Sequence, residues 1–239
     1  MKPTYPETCS LTFPRNHCVA FAVNQEYVNK AAYSGRLLEV IYLEGLQTPI
    51  RNYIRWIPSD NPLWDFIEYH NQVMEEIGHK PHEISEFSKI SSQALIGKPG
   101  MRYATKDNRI ISMFHSGNVV IKAGVEIGPL SSIARGTLDS TVIEENCKIG
   151  HGVLVGHNCI IGKRNILTDT ATVYGSVHTG NDCYISGNTI IRDHLTLADN
   201  TFIGMGSVVT KSILEPGWIY VGNPAKPLRK LKDGERPWV

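Results

Sequence analysis

The stretch IGHGVLVGHNCIIGKRNILTDTATVYGSVHTGNDCYISGNTIIRDHLTLADNTFIGMGSVV (149–209) carries an aliphatic residue every six positions. The step runs back to Val119, through Val125, Ser131, Thr137 and Ile143, and thirteen of the sixteen positions from Val119 to Val209 are Val, Ile or Leu. A helix repeats at 3.6 residues and a strand at two, so neither yields six. A hexad closed by glycine, as at Gly150, Gly156, Gly162 and Gly204, gives one short flat face, a corner, then the next face. Two residues before each ladder position the chain places something smaller, such as Cys147, Val153, Cys159, Ala171, Val177, Cys183, Thr189, Thr201 and Ser207. One large and one small side chain per face fill a narrow interior. The sequence predicts a mainly β protein, a parallel β-helix of hexapeptide repeats with three faces per coil.

Outward from this stretch the pattern changes. Ile84, Ile90 and Ile96 already keep the six-residue step, which starts the prism near residue 83, and the phase breaks between Gly97 and Gly117 in a polar excursion. Before it, CVAFAV (18–23) and LLEVIYL (37–43) read as strands, and Asn24 to Tyr33 as a helix closed by Gly35. Asn61 as N-cap, Pro62 at the first position, an apolar series from Leu63 to Ile77 and Gly78 as terminator read as a second helix. The expected organisation is a small α/β domain at 1–82, the β-helix at 83–214 with a loop at 97–117, and a tail at 215–239.

With a net charge of +1 and 41% hydrophobic residues, composition argues against nucleic-acid binding. No apolar run reaches spanning length and the first residues lack a signal segment, so a cytoplasmic protein is expected. Cys147, Cys159 and Cys183 fall on the small interior position, and the five cysteines read as packing residues of a reducing compartment rather than disulfides or metal ligands.

The prism resembles the left-handed β-helix acyltransferases, and the left hand is implied by that resemblance. In order along the chain, AFAVNQEY (20–27), NPLWDF (61–66), GKPGMRYATKD (97–107), RGTLDST (135–141), GHNCIIG (156–162), YGS (174–176), RDH (192–194), GMGSV (204–208) and EPG (215–217) are similar to the UDP-3-O-acylglucosamine N-acyltransferase family in a shortened form. The resemblance implies N-acylation of a nucleotide-linked amino sugar, in lipopolysaccharide or O-antigen biosynthesis, with His157 as the base. An imidazole titrating near pH 6.5 can take a proton from an attacking amine. By position alone His157 reads as a solvated corner residue.

A coil of 18 residues places Gly175 one turn after His157, where its N–H can meet an oxyanion, and Asp139 one turn before it, where it can orient the ring. The family's aspartate seven residues before the histidine is Gly150 here. The resemblance makes His194 and Tyr103 substrate contacts. It puts Phe21, Asn24 and Tyr27 on the uracil of UDP or the thymine of dTDP; core strand residue, N-cap and first-turn residue are the plain alternatives. His151 and His157 lie six apart without a third histidine between His115 and His151, which does not fit the zinc pattern of hexapeptide-repeat carbonic anhydrases, so no metal is expected.

The family takes long 3-hydroxyacyl chains from acyl carrier protein. Here YVGNPAKPLRKL resembles the closing segment of acetyltransferases that use coenzyme A, with Lys226, Arg229 and Lys230 suited to its phosphates. Acyl-CoA, specifically acetyl-CoA, is the expected donor, with carrier protein the alternative, and a homotrimer the expected assembly. O-acetylation of a sugar and a non-catalytic, nucleotide-sugar-binding trimer are the competing functions.

Overall fold

The computed structural model describes residues 6–12, 14–49, 53–232 and 234–235. They fall into two compact units. One holds Pro81–Gly100, Gly117–Gly136 and Ser140–Val239, and the other holds Met1–Lys80, Met101–Ser116 and Thr137–Asp139.

The first unit is a left-handed parallel β-helix. Its strands form three sheets, two of six strands and one of eight, each assembled from every third strand along the chain. From Ile143 to Val209 the ladder is inside as expected, with Ile143, Val155, Ile161, Leu167, Val173, Ile185, Ile191 and Ile203 fully buried. Each such side chain contributes about 1.5–3 kcal/mol on burial, and the stacked column is the core. Two of its polar residues compensate one another. Thr179 stands on the ladder and Asn165 on the small position, and Asn165 Nδ2 donates to Thr179 Oγ1 at 2.6 Å while its Oδ1 accepts from Cys183 N–H at 2.6 Å.

Corners are made by one residue per hexad in the left-handed region. Asn146, Asn158, Arg164, Thr170, Ser176, Asp182, Asn188, His194 and Asn200 have φ between 55° and 62°, and Gly152 and Gly206 complete the series. A Cβ costs about 1–2 kcal/mol there, which is why Asn and Gly supply most of the positions.

Upstream of Ile143 the expected phase is corrected. Ile127 pairs with Ile149 and Ile133 with Val155, 22 residues apart, whereas Val142 and Ile160 are 18 apart. Four extra residues therefore lie in the coil between Ile133 and Val142. Ile121, Ile127 and Ile133 carry the ladder, Val119, Val125 and Ser131 take the small position, and Thr137 belongs to the other unit. A constant step counted through the insertion moved the register by two.

The tail is also more ordered than its Pro and Gly content suggests. Trp218–Val221 extends the eight-stranded sheet beside Phe202 and Ile203, then pairs antiparallel with Lys226–Lys230.

The second unit contains β1 (Cys18–Ala22), α1 (Gln25–Ser34), β2 (Leu37–Leu43), β3 (Arg55–Ser59) and α2 (Pro62–Ile77). The three strands are parallel in the order β1-β2-β3. Both helix starts follow their sequence signals: Asn24 Oδ1 accepts from Tyr27 N–H at 2.9 Å and Asn61 Oδ1 from Trp64 N–H at 3.2 Å. Strand β3 was not expected, because RWIPS has a proline and no alternation.

The polar excursion is an antiparallel hairpin, Tyr103–Lys106 with Arg109–Ser112, turned by Asp107 and Asn108 at positive φ. Ala104 is buried and Ile111 partly so, in one cluster with Val19, Ile41, Trp64 and Phe66, so these residues belong with the α/β unit rather than with the prism. Cys9 and Cys18 form a disulfide, which corrects their reading as packing thiols. Cys147, Cys159 and Cys183 are buried free thiols, and burial pushes them up to about 11, 12 and 12.

Candidate active site

His157 follows the strand Leu154–Val155 and the corner glycine Gly156. A methyl on Gly156 would lie 2.6 Å from Gly175 N, so glycine lets adjacent coils close up at this corner. Backbone bonds tie the column: Ser176 N–H donates to His157 O at 2.8 Å, and His194 N–H to Gly175 O at 3.0 Å.

The imidazole has a defined seat. Nδ1 lies 2.9 Å from Asn158 Oδ1. A carboxamide oxygen only accepts, so Nδ1 is the donor of this pair. On the Nε2 side the ring lies on Gly175, where a methyl would be 2.8 Å from both Nε2 and Cε1. On the Cδ2 side it lies on Gly100, where a methyl would be 2.8 Å from Cδ2. The structure thus brings together His157 and Gly175 as the 18-residue coil implied, and adds Asn158 and Gly100. Asn158 was legible as the neighbour of His157, but at a corner it reads first as a left-handed turn residue. Gly100 had no such signal, since the excursion hides its register.

Asp139 lies in the segment Thr137–Asp139 of the α/β unit. The four-residue insertion lies at this corner, with an offset of 22 residues before it at Ile133 and Val155 and of 18 after it at Val142 and Ile160, and Asp139 is counted with the α/β unit, where Ser10 Oγ donates to its Oδ2. Burial raises its pKa.

His194 is one of the left-handed corner residues, with Nε2 3.8 Å from Asp193 Oδ2. Burial, then the nearby His194, lowers the pKa of His178. His151 is held otherwise than His157: its N–H donates to Asp169 Oδ1 at 2.7 Å, and its ring lies over Gly128. Among the described residues no group of three or more His, Cys, Asp or Glu is placed to hold a metal ion. An open groove of about 870 Å³ lies over Ile90, Glu126, Lys148, His151, Ile166 and Asp169 and does not include His157. Its lysines are already paired, Lys148 with Glu126 at 2.9 Å and Lys89 with the same carboxylate at 3.8 Å.

In the α/β unit Phe21 packs on Phe66 with ring centroids 4.8 Å apart, Asn24 caps α1, and Tyr27 and Tyr103 are exposed. In the C-terminal hairpin Lys226 is exposed and Lys230 Nζ stands 5.4 Å over Trp218. Arg229 donates to Glu235 in two bonds of 2.7 and 2.6 Å.

Residues 140–175 match the bacterial transferase hexapeptide family, described as six repeats. The chain is 39% identical over 150 residues to UDP-3-O-acylglucosamine N-acyltransferase of Janthinobacterium sp. (strain Marseille), covering 63% of this chain and 42% of that protein. The enzyme of the same name from Herminiimonas arsenicoxydans is 40% identical over 146 residues, covering 61% and 41%. The chain thus spans about two fifths of the length of these curated relatives. Among solved structures, UDP-N-acetylglucosamine O-acyltransferase from Moraxella catarrhalis RH4 superposes with a TM-score of 0.57 at 18% identity, covering 98% of this chain and 70% of that one. The Arabidopsis UDP-N-acetylglucosamine acyltransferase gives 0.52 at 16% identity, with 95% and 71% covered. The structural likenesses speak for the fold, and the sequence matches support the resemblance to hexapeptide-repeat acyltransferases. Within the left-handed β-helix, residues 140–175 match bacterial transferase hexapeptide repeats.

Proposed function

We propose that this protein is an N-acyltransferase that moves an acyl group from a thioester to the amine of a nucleotide-linked amino sugar. The observation that carries this reading is the seat of His157, with Nδ1 against Asn158 Oδ1 and Nε2 against the backbone of Gly175. As the amine nitrogen attacks the thioester carbonyl carbon, Nε2 takes its proton and the carbonyl oxygen becomes an oxyanion, to which Gly175 N–H donates. Collapse of the tetrahedral intermediate forms the amide and breaks the C–S bond, and the imidazolium returns the proton to the leaving thiolate. The sequence relatives are named for this reaction on an acylated UDP-glucosamine, which supports a UDP- or dTDP-linked amino sugar as acceptor. Phe21, Asn24 and Tyr27 would receive the base, and His194 and Tyr103 the rest of the acceptor.

The donor in this reading is a short acyl-CoA, acetyl-CoA first. The exposed basic strand Lys226–Lys230 supports it, with Lys226 and Lys230 as the cations. The assembly is a trimer. Leu95, Leu154 and Ile190 point outward from one six-stranded face at 53%, 42% and 40% exposure, and a second copy of the chain covers such a stripe. A thiol-release assay with acetyl-CoA and 3-hydroxyacyl carrier protein against UDP- and dTDP-amino sugars tests acceptor and donor together. Preference for the carrier-bound long chain overturns the donor; release only with sugars lacking an amine overturns N-acylation. Light scattering that shows a 26.6 kDa monomer under assay conditions removes the trimer.

A further inference from the structure

We propose that Gly100 is a positioning residue for His157, a glycine retained because the imidazole fills the space of its side chain. The proposal rests on His157 as the base and identifies what aims its Nε2.

Two kinds of glycine occur in the prism. Gly97 has φ 79° and Gly124 φ 72°, so the left-handed backbone alone favours glycine there. Gly100 is not among the positive-φ glycines, and an alanine meets no backbone objection. The obstacle to a side chain is the imidazole. A methyl on Gly100 would stand 2.8 Å from Cδ2, 3.2 Å from Cβ and 3.3 Å from Cγ of His157. Real Cβ atoms do not approach neighbours at 2.8 Å, so ring and backbone must part.

A methyl on Gly175 would likewise stand 2.8 Å from Nε2 and Cε1, so at both glycines the imidazole fills the space that a side chain would take. With Asn158 Oδ1 on Nδ1, three contacts hold one edge each of the imidazole. A methyl at 100 therefore does not slide the ring along a groove. It rotates the ring about its Cα–Cβ or Cβ–Cγ bond, turns Nε2 off the acceptor amine and stretches the bond to Asn158. A misplacement of about 1 Å is worth up to 10²-fold in a reaction that depends on alignment. Since Gly100 touches neither acceptor nor donor in this reading, the loss belongs to turnover and not to acceptor binding.

The test is Gly100→Ala, read in three ways. Turnover should fall 10- to 100-fold while the KM for the amino sugar stays within about twofold. The Hε1 and Cε1 resonances of His157, assigned by their absence in His157→Ala, should shift and titrate at a different pH. The melting temperature should fall in the native background, and this fall should shrink or vanish when Gly100→Ala is combined with His157→Ala, because the clashing ring is gone. Normal turnover with unchanged His157 resonances overturns the proposal, as does an equal melting penalty with and without the imidazole. If Gly100→Ala does not fold while the double variant does, the seat is confirmed; if neither folds, Gly100 serves the backbone and the proposal fails. Should the native protein acylate no amino sugar while the His157 resonances still respond to Gly100→Ala, the seat stands and the proposed function falls.

Discussion

At the prism corner, His157 has a carboxamide oxygen on Nδ1 and glycines along two ring edges; in the α/β unit, His70 is wholly buried, with Thr8 Oγ1 2.5 Å from Nδ1 and Phe114 O 2.8 Å from Nε2. His70 also stacks parallel to Phe66 at 6.0 Å. Both ring nitrogens of His70 are engaged by the fold, joining the N-terminal segment, α2 and the segment after the hairpin. Its pKa is lowered to about 4, first by burial and then by nearby Arg15 and Lys80, against the bond to Phe114. In the proposed function the proton state of His157 matters to a ligand; the proton state of His70 matters to the fold.

The difference is sharpest if His157 is removed. His157→Ala should lower turnover by roughly 10²- to 10⁴-fold, with trimer mass and acceptor binding retained, in the thiol-release assay. Near-normal turnover would place the base elsewhere. His70 should reveal itself in stability instead. Its folded pKa of about 4 lies below the unfolded value near 6.5, so between these the unfolded chain binds the extra proton. The contribution is complete above about pH 6.5 and is lost as pH falls towards 4, on the order of 3 kcal/mol in total. Urea midpoints at pH 7 and pH 4.5 for native and His70→Gln protein check this, and an equal pH response in both would remove His70 as its source.

Smaller effects probe the surroundings of each site. Asn158→Gly keeps the left-handed backbone while deleting the carboxamide, and should cost about fivefold in turnover, the worth of one hydrogen bond near 1 kcal/mol. Unchanged turnover would leave Asn158 a corner residue alone. Phe21→Ala or Tyr27→Ala should raise the acceptor KM by the equivalent of about 1 kcal/mol at little change in turnover. A normal KM would return both to packing. The smallest effect is expected from His151→Ala, within about threefold, because its backbone rather than its ring is held by Asp169. A loss equal to that of His157→Ala would erase the distinction between the two corners.

How much of this was legible varies with the physics at each place. The inside of the prism repeats one environment per hexad, so Ile143 to Val209 announce their burial one residue at a time. The helix caps Asn24 and Asn61 were readable because capping is local. Four added residues in one coil were not, since nothing in RGTLDST marks which of them leave the ladder. The disulfide of Cys9 with Cys18 and the burial of His70 depend on partners brought from elsewhere in the α/β unit, beyond any local pattern.

By itself the sequence determined the hexad prism, its hydrophobic and small interior columns, and the placement of Gly175 one coil from His157, because a period is a statement about neighbours in space as well as along the chain. Only the tertiary structure decided that Asn158 meets Nδ1, that Gly100 bounds the same ring, that Arg229 is held by Glu235 and that the 101–116 excursion belongs with the α/β unit. Those are contacts between side chains or segments with no shared period, and they form where the packing around each residue puts a partner within reach.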